Sequence, residues 1–75
     1  MNKDRRRRIE EALVKLEEIK DEVTAIYEEE QEAFDNMPEG LQSSEKGDAM
    51  QSAIDTLSEA VSDLDSAIVQ LQGIE

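Results

Sequence analysis

The sequence contains no cysteine, no histidine and no tryptophan, and its only aromatic residues are Tyr27 and Phe34. Without Cys and His there are no disulfides, thiolate nucleophiles, imidazole bases or customary zinc, copper and iron ligand sets. With two rings in the whole chain, any core has to be built from aliphatic side chains. No apolar run approaches the roughly 18 to 20 residues that cross a bilayer. No apolar signal-peptide segment follows Met1 either. These absences set the expectation of a soluble cytoplasmic protein with no cofactor, no bound metal and no membrane partner.

What is present is charge, unevenly spread. The 75 residues carry a net charge of -12. Residues 1–8 hold five cations (Lys3, Arg5, Arg6, Arg7 and Arg8) against Asp4, for +4. The remaining residues hold 19 acids against Lys15, Lys20 and Lys46, for -16. Such a surface repels nucleic acid except at the basic tip, so no direct nucleic-acid binding is expected. High charge with few aromatics is also a composition of disordered chains. Periodicity decides against that reading.

From Ile9 onward apolar residues recur at heptad positions. One row is Ile9, Leu16, Val23 and Met37, interrupted by Glu30; a second is Leu13, Tyr27 and Phe34, interrupted by Lys20. A third row, Ala12, Ile19, Ile26 and Ala33, runs beside them. Together they cover about three positions in seven, the width of a helix face packed on more than one neighbour. Farther along, Met50, Ile54, Leu57, Val61, Leu64, Ile68 and Leu71 alternate spacings of four and three, a 3.5-residue repeat that favours left-handed supercoiled packing. Ala53, Ala60 and Ala67 form a small-residue row beside it.

Between the two segments Pro38 stops the first helix, and Gly40 permits a positive φ. Ser43 or Ser44 offers an N-cap, with Glu45 and Asp48 suited to the first turn of the second helix. The expected fold is all-α: an antiparallel, coiled-coil-like hairpin with helices over about 4–36 and 44–72 and a loop over 37–43. One seam cannot use a three-in-seven face and an alanine row together. Hence the expectation that the chain partners itself, as a four-helix bundle or larger homo-oligomer. The expected seam and oligomer residues are Leu13, Leu16, Ile19, Val23, Ile26, Met50, Ile54, Leu57, Ala60, Val61, Leu64, Ala67, Ile68 and Leu71.

Three features are candidates for binding. The acids Glu28, Glu29, Glu32 and Asp35 offer a partner-binding face; they lack the loop spacing of a calcium site or the Glu-x-x-His pair of a di-metal bundle. The second helix starts with Ser43, Ser44, Lys46 and Gly47, a set of hydroxyls, a cation and free N–H groups suited to an anion. The run Arg5 to Arg8 is a second anion candidate, since guanidinium forks match phosphate. It also stands where a helix dipole disfavours cations. The plainer reading places the second helix's C-terminus and Glu75 beside it. No cleft supports paired-carboxylate catalysis, so an enzyme is not expected.

The stretch Phe34-Asp35-Asn36-Met37-Pro38-Glu39-Gly40-Leu41-Gln42-Ser43-Ser44-Glu45-Lys46-Gly47, followed by Ala53-Ile54-Asp55-Thr56-Leu57-Ser58-Glu59-Ala60, resembles a family of small acidic helical proteins of bacteriophages and prophages. The likeness covers most of residues 26–72 and centres on the Asn-Met-Pro-Glu…Leu-Gln-Ser-Ser loop. Members of that family often carry Asn where this chain has Gly40, which takes weight from that position. The resemblance implies a viral context, where small non-enzymatic proteins act by stoichiometric binding to host defence components. The leading expectation is thus sequestration of a host protein through the acidic surface, in the manner of a DNA mimic. A sponge for a small anionic signalling nucleotide, held between subunits, and a structural coiled-coil module are the alternatives.

Overall fold

A computed structural model describes Met1–Glu75 and contains helices alone. Helix α1 spans Lys3–Asp35, a single helical turn α2 spans Glu39–Gln42, and α3 spans Glu45–Gln72. α1 and α3 lie antiparallel along their length, giving a rod 58 Å long and 14 by 13 Å across. No helix is long and apolar enough to cross a membrane.

Each helix end has a local cause. The Arg5 amide donates to Asn2 Oδ1 at 2.8 Å, which caps α1 one residue earlier than the sequence pattern suggests. At the other end the Asn36 amide still reaches Glu32 O at 3.0 Å, but Pro38 is extended (φ -57, ψ 145) and the helix cannot continue. The segment 37–43, expected to be loop, contains α2 instead. Pro38 ends one helix and opens the next, its carbonyl accepting from the Leu41 and Gln42 amides at 2.9 and 3.1 Å. Ser44, not Ser43, caps α3, its hydroxyl accepting from the Gly47 amide at 3.3 Å. Gly40 does not use its freedom, for no glycine has a positive φ.

Ile9, Leu13, Leu16, Val23, Tyr27 and Phe34 of α1, with Met37 just beyond its end, face Met50, Ile54, Leu57, Val61, Leu64, Ile68 and Leu71 of α3. Only Ile54 and Ile68, at 3% and 5% exposure, are buried among the apolar residues. Two of the expected seam residues are not in this seam: Ile19 and Ile26 are 47% and 46% exposed. They sit one position off the contact rows, so a single partner helix cannot reach both them and the Leu13–Phe34 row. Ala60 and Ala67 stand half-buried at its edge. The radius of gyration, 17.2 Å, far exceeds the roughly 11 Å of a compact 75-residue domain.

Lys20 breaks an otherwise apolar row. Its aliphatic stem lies along the seam and its Nζ reaches Asp65 Oδ1 at 2.7 Å. This is the one ion pair that links the two long helices. A one-heptad slip of α3 against α1 would separate the pair by about 10 Å, so the contact marks a single register. The hydrogen bond to Asp65 raises the Lys20 pKa above its ordinary 10.5, outweighing the opposing effect of partial burial. With the folded value above the unfolded one, the pair's stabilisation is fully present below pH 10.5 and fades as pH rises through the raised value. The difference in melting temperature between wild type and Asp65→Asn should therefore hold steady from neutral pH to about 10 and shrink above 10.5. A difference that does not change with alkaline pH would mean that Asp65 acts through packing.

Candidate functional site

The sequence nominated two anion-binding clusters, and the hairpin places them at opposite ends of a 58 Å rod. In one chain they cannot form a single site.

At the turn, Gly47 is buried because the backbone of the α2 turn lies directly on it. A Cβ at that position would stand 2.0 Å from Gln42 O and 2.6 Å from Leu41 O. It is therefore the Leu41–Gln42 backbone that tucks against Gly47, while the Leu41 side chain remains 51% exposed. Gln42 fastens the turn to α1, its Nε2 donating to Phe34 O at 2.9 Å. The serine hydroxyls are engaged as well: Ser43 Oγ donates to Glu39 O at 3.2 Å and Ser44 Oγ donates to Leu41 O. With both hydroxyls committed, the Gly47 amide capped and a carbonyl against the helix start, Ser43, Ser44 and Gly47 work as a structural turn. Ser43 is exposed with its hydroxyl engaged, and Lys46 is exposed and without an ion-pair partner.

At the tip the cations are left more open. Arg7 pairs with Asp4 at 2.8 Å and reaches Glu11 at 4.0 Å, both within its own helix. No salt bridge joins the arginine run to Glu75. The expected compensation by the C-terminus is replaced by Asp4 and by the Asn2 cap. α1 has 33 residues and α3 has 28, so the basic first turns of α1 stand at and beyond the end of α3. Arg5 and Arg8, with Met1, Ile9 and Ala12, line a shallow open groove of about 330 Å³. Arg6 borders another of about 260 Å³ with Ile9, Leu13, Leu71 and Ile74.

The acidic segment is exposed at Glu28, Glu29, Glu32 and Asp35, whereas Glu30 is half-buried at its seam position. Asp35 accepts from Gln31 Nε2 at 3.0 Å. No group of three or more acids is gathered closely enough to hold a metal ion. Every groove on the rod is open to solvent, and no carboxylate pair faces a closed cleft. Asn2, Gln42 and Asp65 were not singled out from the sequence. Asn2 had a signal, a capping residue three before the Arg5 amide; Asp65 becomes visible only once the register is known.

No protein-family model, curated protein or solved structure matches the chain. The functional reading therefore rests on its own residues.

The Gly47 contact gives a sign test. In an open helix, Gly→Ala stabilises by about 1 kcal/mol. Here the added methyl meets backbone rather than a flexible side chain, so Gly47→Ala should destabilise by about 1–3 kcal/mol in denaturant or thermal melts. A stabilised Gly47→Ala variant would place the α2 turn elsewhere.

Proposed function

We propose that the protein acts without catalysis, by stoichiometric sequestration of a basic host protein through its acidic surface, in a phage or prophage setting. The observation that carries this reading is charge density on a thin rod. Over its whole length each hairpin carries -12, so a pair of hairpins carries -24 along a rod 58 Å long, one net charge per about 2.4 Å, with the acids concentrated beyond residue 8. That is within a factor of two of the one negative charge per roughly 1.7 Å of axis presented by duplex DNA. The rod offers surface rather than a pocket, which suits a partner that grips duplex-like charge. The working form is a homo-oligomer, supported by Ile19 and Ile26, which a single hairpin leaves open to water.

A second reading has one observation of its own. Arg5 and Arg8 have no carboxylate partner and flank a groove with apolar walls, an arrangement suited to a small phosphorylated ligand such as a signalling nucleotide. The two readings separate by experiment. Sequestration of a basic protein predicts that a partner captured from bacterial lysate is released as salt rises, with affinity dropping about tenfold or more over a few-fold change in ionic strength. The charge-reversed set Glu28→Lys, Glu32→Lys and Asp35→Lys should fail to capture it. A thermal shift with cyclic or linear nucleotides, abolished by Arg5→Ala with Arg8→Ala, would instead establish the second reading. Capture indifferent to salt would sink the first.

A further inference from the structure

The two flanks of the α1–α3 seam differ in kind. In an antiparallel pair each heptad row beside the seam faces its own counterpart on the other helix. The contact between Lys20 and Asp65 locates one flank: around it stand Glu17, Asp21, Val69 and Gln72, a mostly polar surface. The opposite flank carries Ala12, Ile19, Ile26 and Ala33 from α1, and Ala53, Ala60 and Ala67 from α3. Both apolar rows thus fall on one side of the hairpin, and paired rungs lie at equal distance from the turn: Ile19 with Ala67, Ile26 with Ala60, Ala33 with Ala53. At two of these rungs an isoleucine of α1 stands beside an alanine of α3 and at the third two alanines meet, so a flat apolar strip runs along the rod.

The extra surface is of the size that an interface removes. The chain exposes 5640 Å², about 1,000 Å² above the roughly 4,700 Å² of a compact monomer of its mass. A standard interface buries roughly 800 Å² per partner.

The outer edge of this strip on α1 carries a sign change. Its residues, one heptad apart, are Arg8, Lys15, Glu22 and Glu29: two cations toward the tip, then two acids toward the turn. The matching edge of α3 is Ala49, Thr56, Asp63 and Gln70, with a single charge. We propose that a second copy of this chain covers the strip end for end, α1 lying antiparallel on α1, so that Arg8 and Lys15 of each copy run beside Glu22 and Glu29 of the other. This deepens, and rests on, the homo-oligomer in the proposed function.

Charge selects this arrangement over its rival. Two copies can be related by a two-fold axis across the rod or along it. An axis along the rod lays α1 on the second copy's α3 at equal height, where Arg8 and Lys15 find no acid and Glu22 meets Asp63, a like charge. It also sets the two +4 tips side by side. The axis across the rod matches both signs twice and sends each basic tip toward the other copy's acidic turn end. Like-charge juxtaposition costs more than matched pairs return, so orientation is where these charges matter most.

The full chain is tested directly. Sedimentation should show a dimer or an even-numbered oligomer. Ile19→Glu with Ile26→Glu should give a monomer that retains its helical circular dichroism, since both side chains lie outside the hairpin's own seam. Val14→Glu with Val69→Glu, on exposed positions away from the strip, should leave association unchanged. Reversing Arg8 and Lys15 to Glu should weaken association about tenfold. Adding Glu22→Lys and Glu29→Lys in the same chain should restore it, because the edge is again self-complementary. With no native cysteine, a spin label at Lys3→Cys reads the orientation: more than about 40 Å between copies end for end, under about 25 Å with the axis along the rod. A wild-type monomer at millimolar concentration, an oligomer that survives Ile19→Glu with Ile26→Glu, or the short distance would each overturn the proposal. None of these results depends on capture of a host protein, so its failure and that of the sequestration reading are told apart.

Discussion

The 3.5-residue apolar repeat that zips α1 to α3 is the only extended hydrophobic contact in the molecule. The rest of the structure takes its form from it. Two helices meeting along one seam bury little: Ile54 and Ile68 are the only buried apolar side chains. The rest of the seam is only half-buried, most other side chains face water, and the outline is a rod rather than a globule. A rod this thin has no interior in which to build a cleft, which directs attention to surfaces. It also makes the stability of an isolated hairpin small, because the apolar area removed from water scarcely exceeds what chain ordering costs.

Within that constraint the turn and the Lys20–Asp65 pair do different work. The apolar repeat alone tolerates a slip by one heptad, since leucines and isoleucines replace one another at low cost. Gly47 removes part of that tolerance by admitting the Gln42 backbone at a distance no side chain permits. The cross-seam ion pair removes more by placing a charge that has one partner at one register. An exposed ion pair contributes little net stability; its effect here is on which alignment is chosen.

Much of this was legible in the sequence because heptad spacing, Pro38 and the serine cap are local signals. The helix pair, its antiparallel sense and the break near residue 37 follow from them. Ile19 and Ile26 fit the expected seam and oligomer rows, but the pattern does not separate a hairpin's seam from the face beside it, since both repeat every seven residues. The α2 turn was hidden because a four-residue helix produces no periodicity. The anion-site reading of Ser43 to Gly47 assumed free hydroxyls and amides; in the fold Glu39 O and Leu41 O take the hydroxyls, and Ser44 Oγ holds the Gly47 amide. Composition shows that polar groups are present, whereas only three-dimensional contact shows that they are occupied.

The asymmetry of the two flanks bears on how binding and assembly coexist. A chain that must both associate with itself and offer charge to a partner risks using one surface for two purposes. Here the rows separate, with Glu22 and Glu29 at the strip's own edge as the exceptions. The apolar strip beside Ile19 and Ile26 lies on one flank, while Glu10, Glu17, Asp21, Glu28 and Asp35 on α1 and Asp48, Asp55 and Asp65 on α3 lie toward the other. Covering the strip with a second copy would leave these acids in water and double their number along the rod. It would also hold the acidic faces apart on opposite sides of the bundle, where solvent and salt screen their repulsion over about 8–10 Å. Association in that geometry increases the charge offered to a partner without hiding the side chains that carry it.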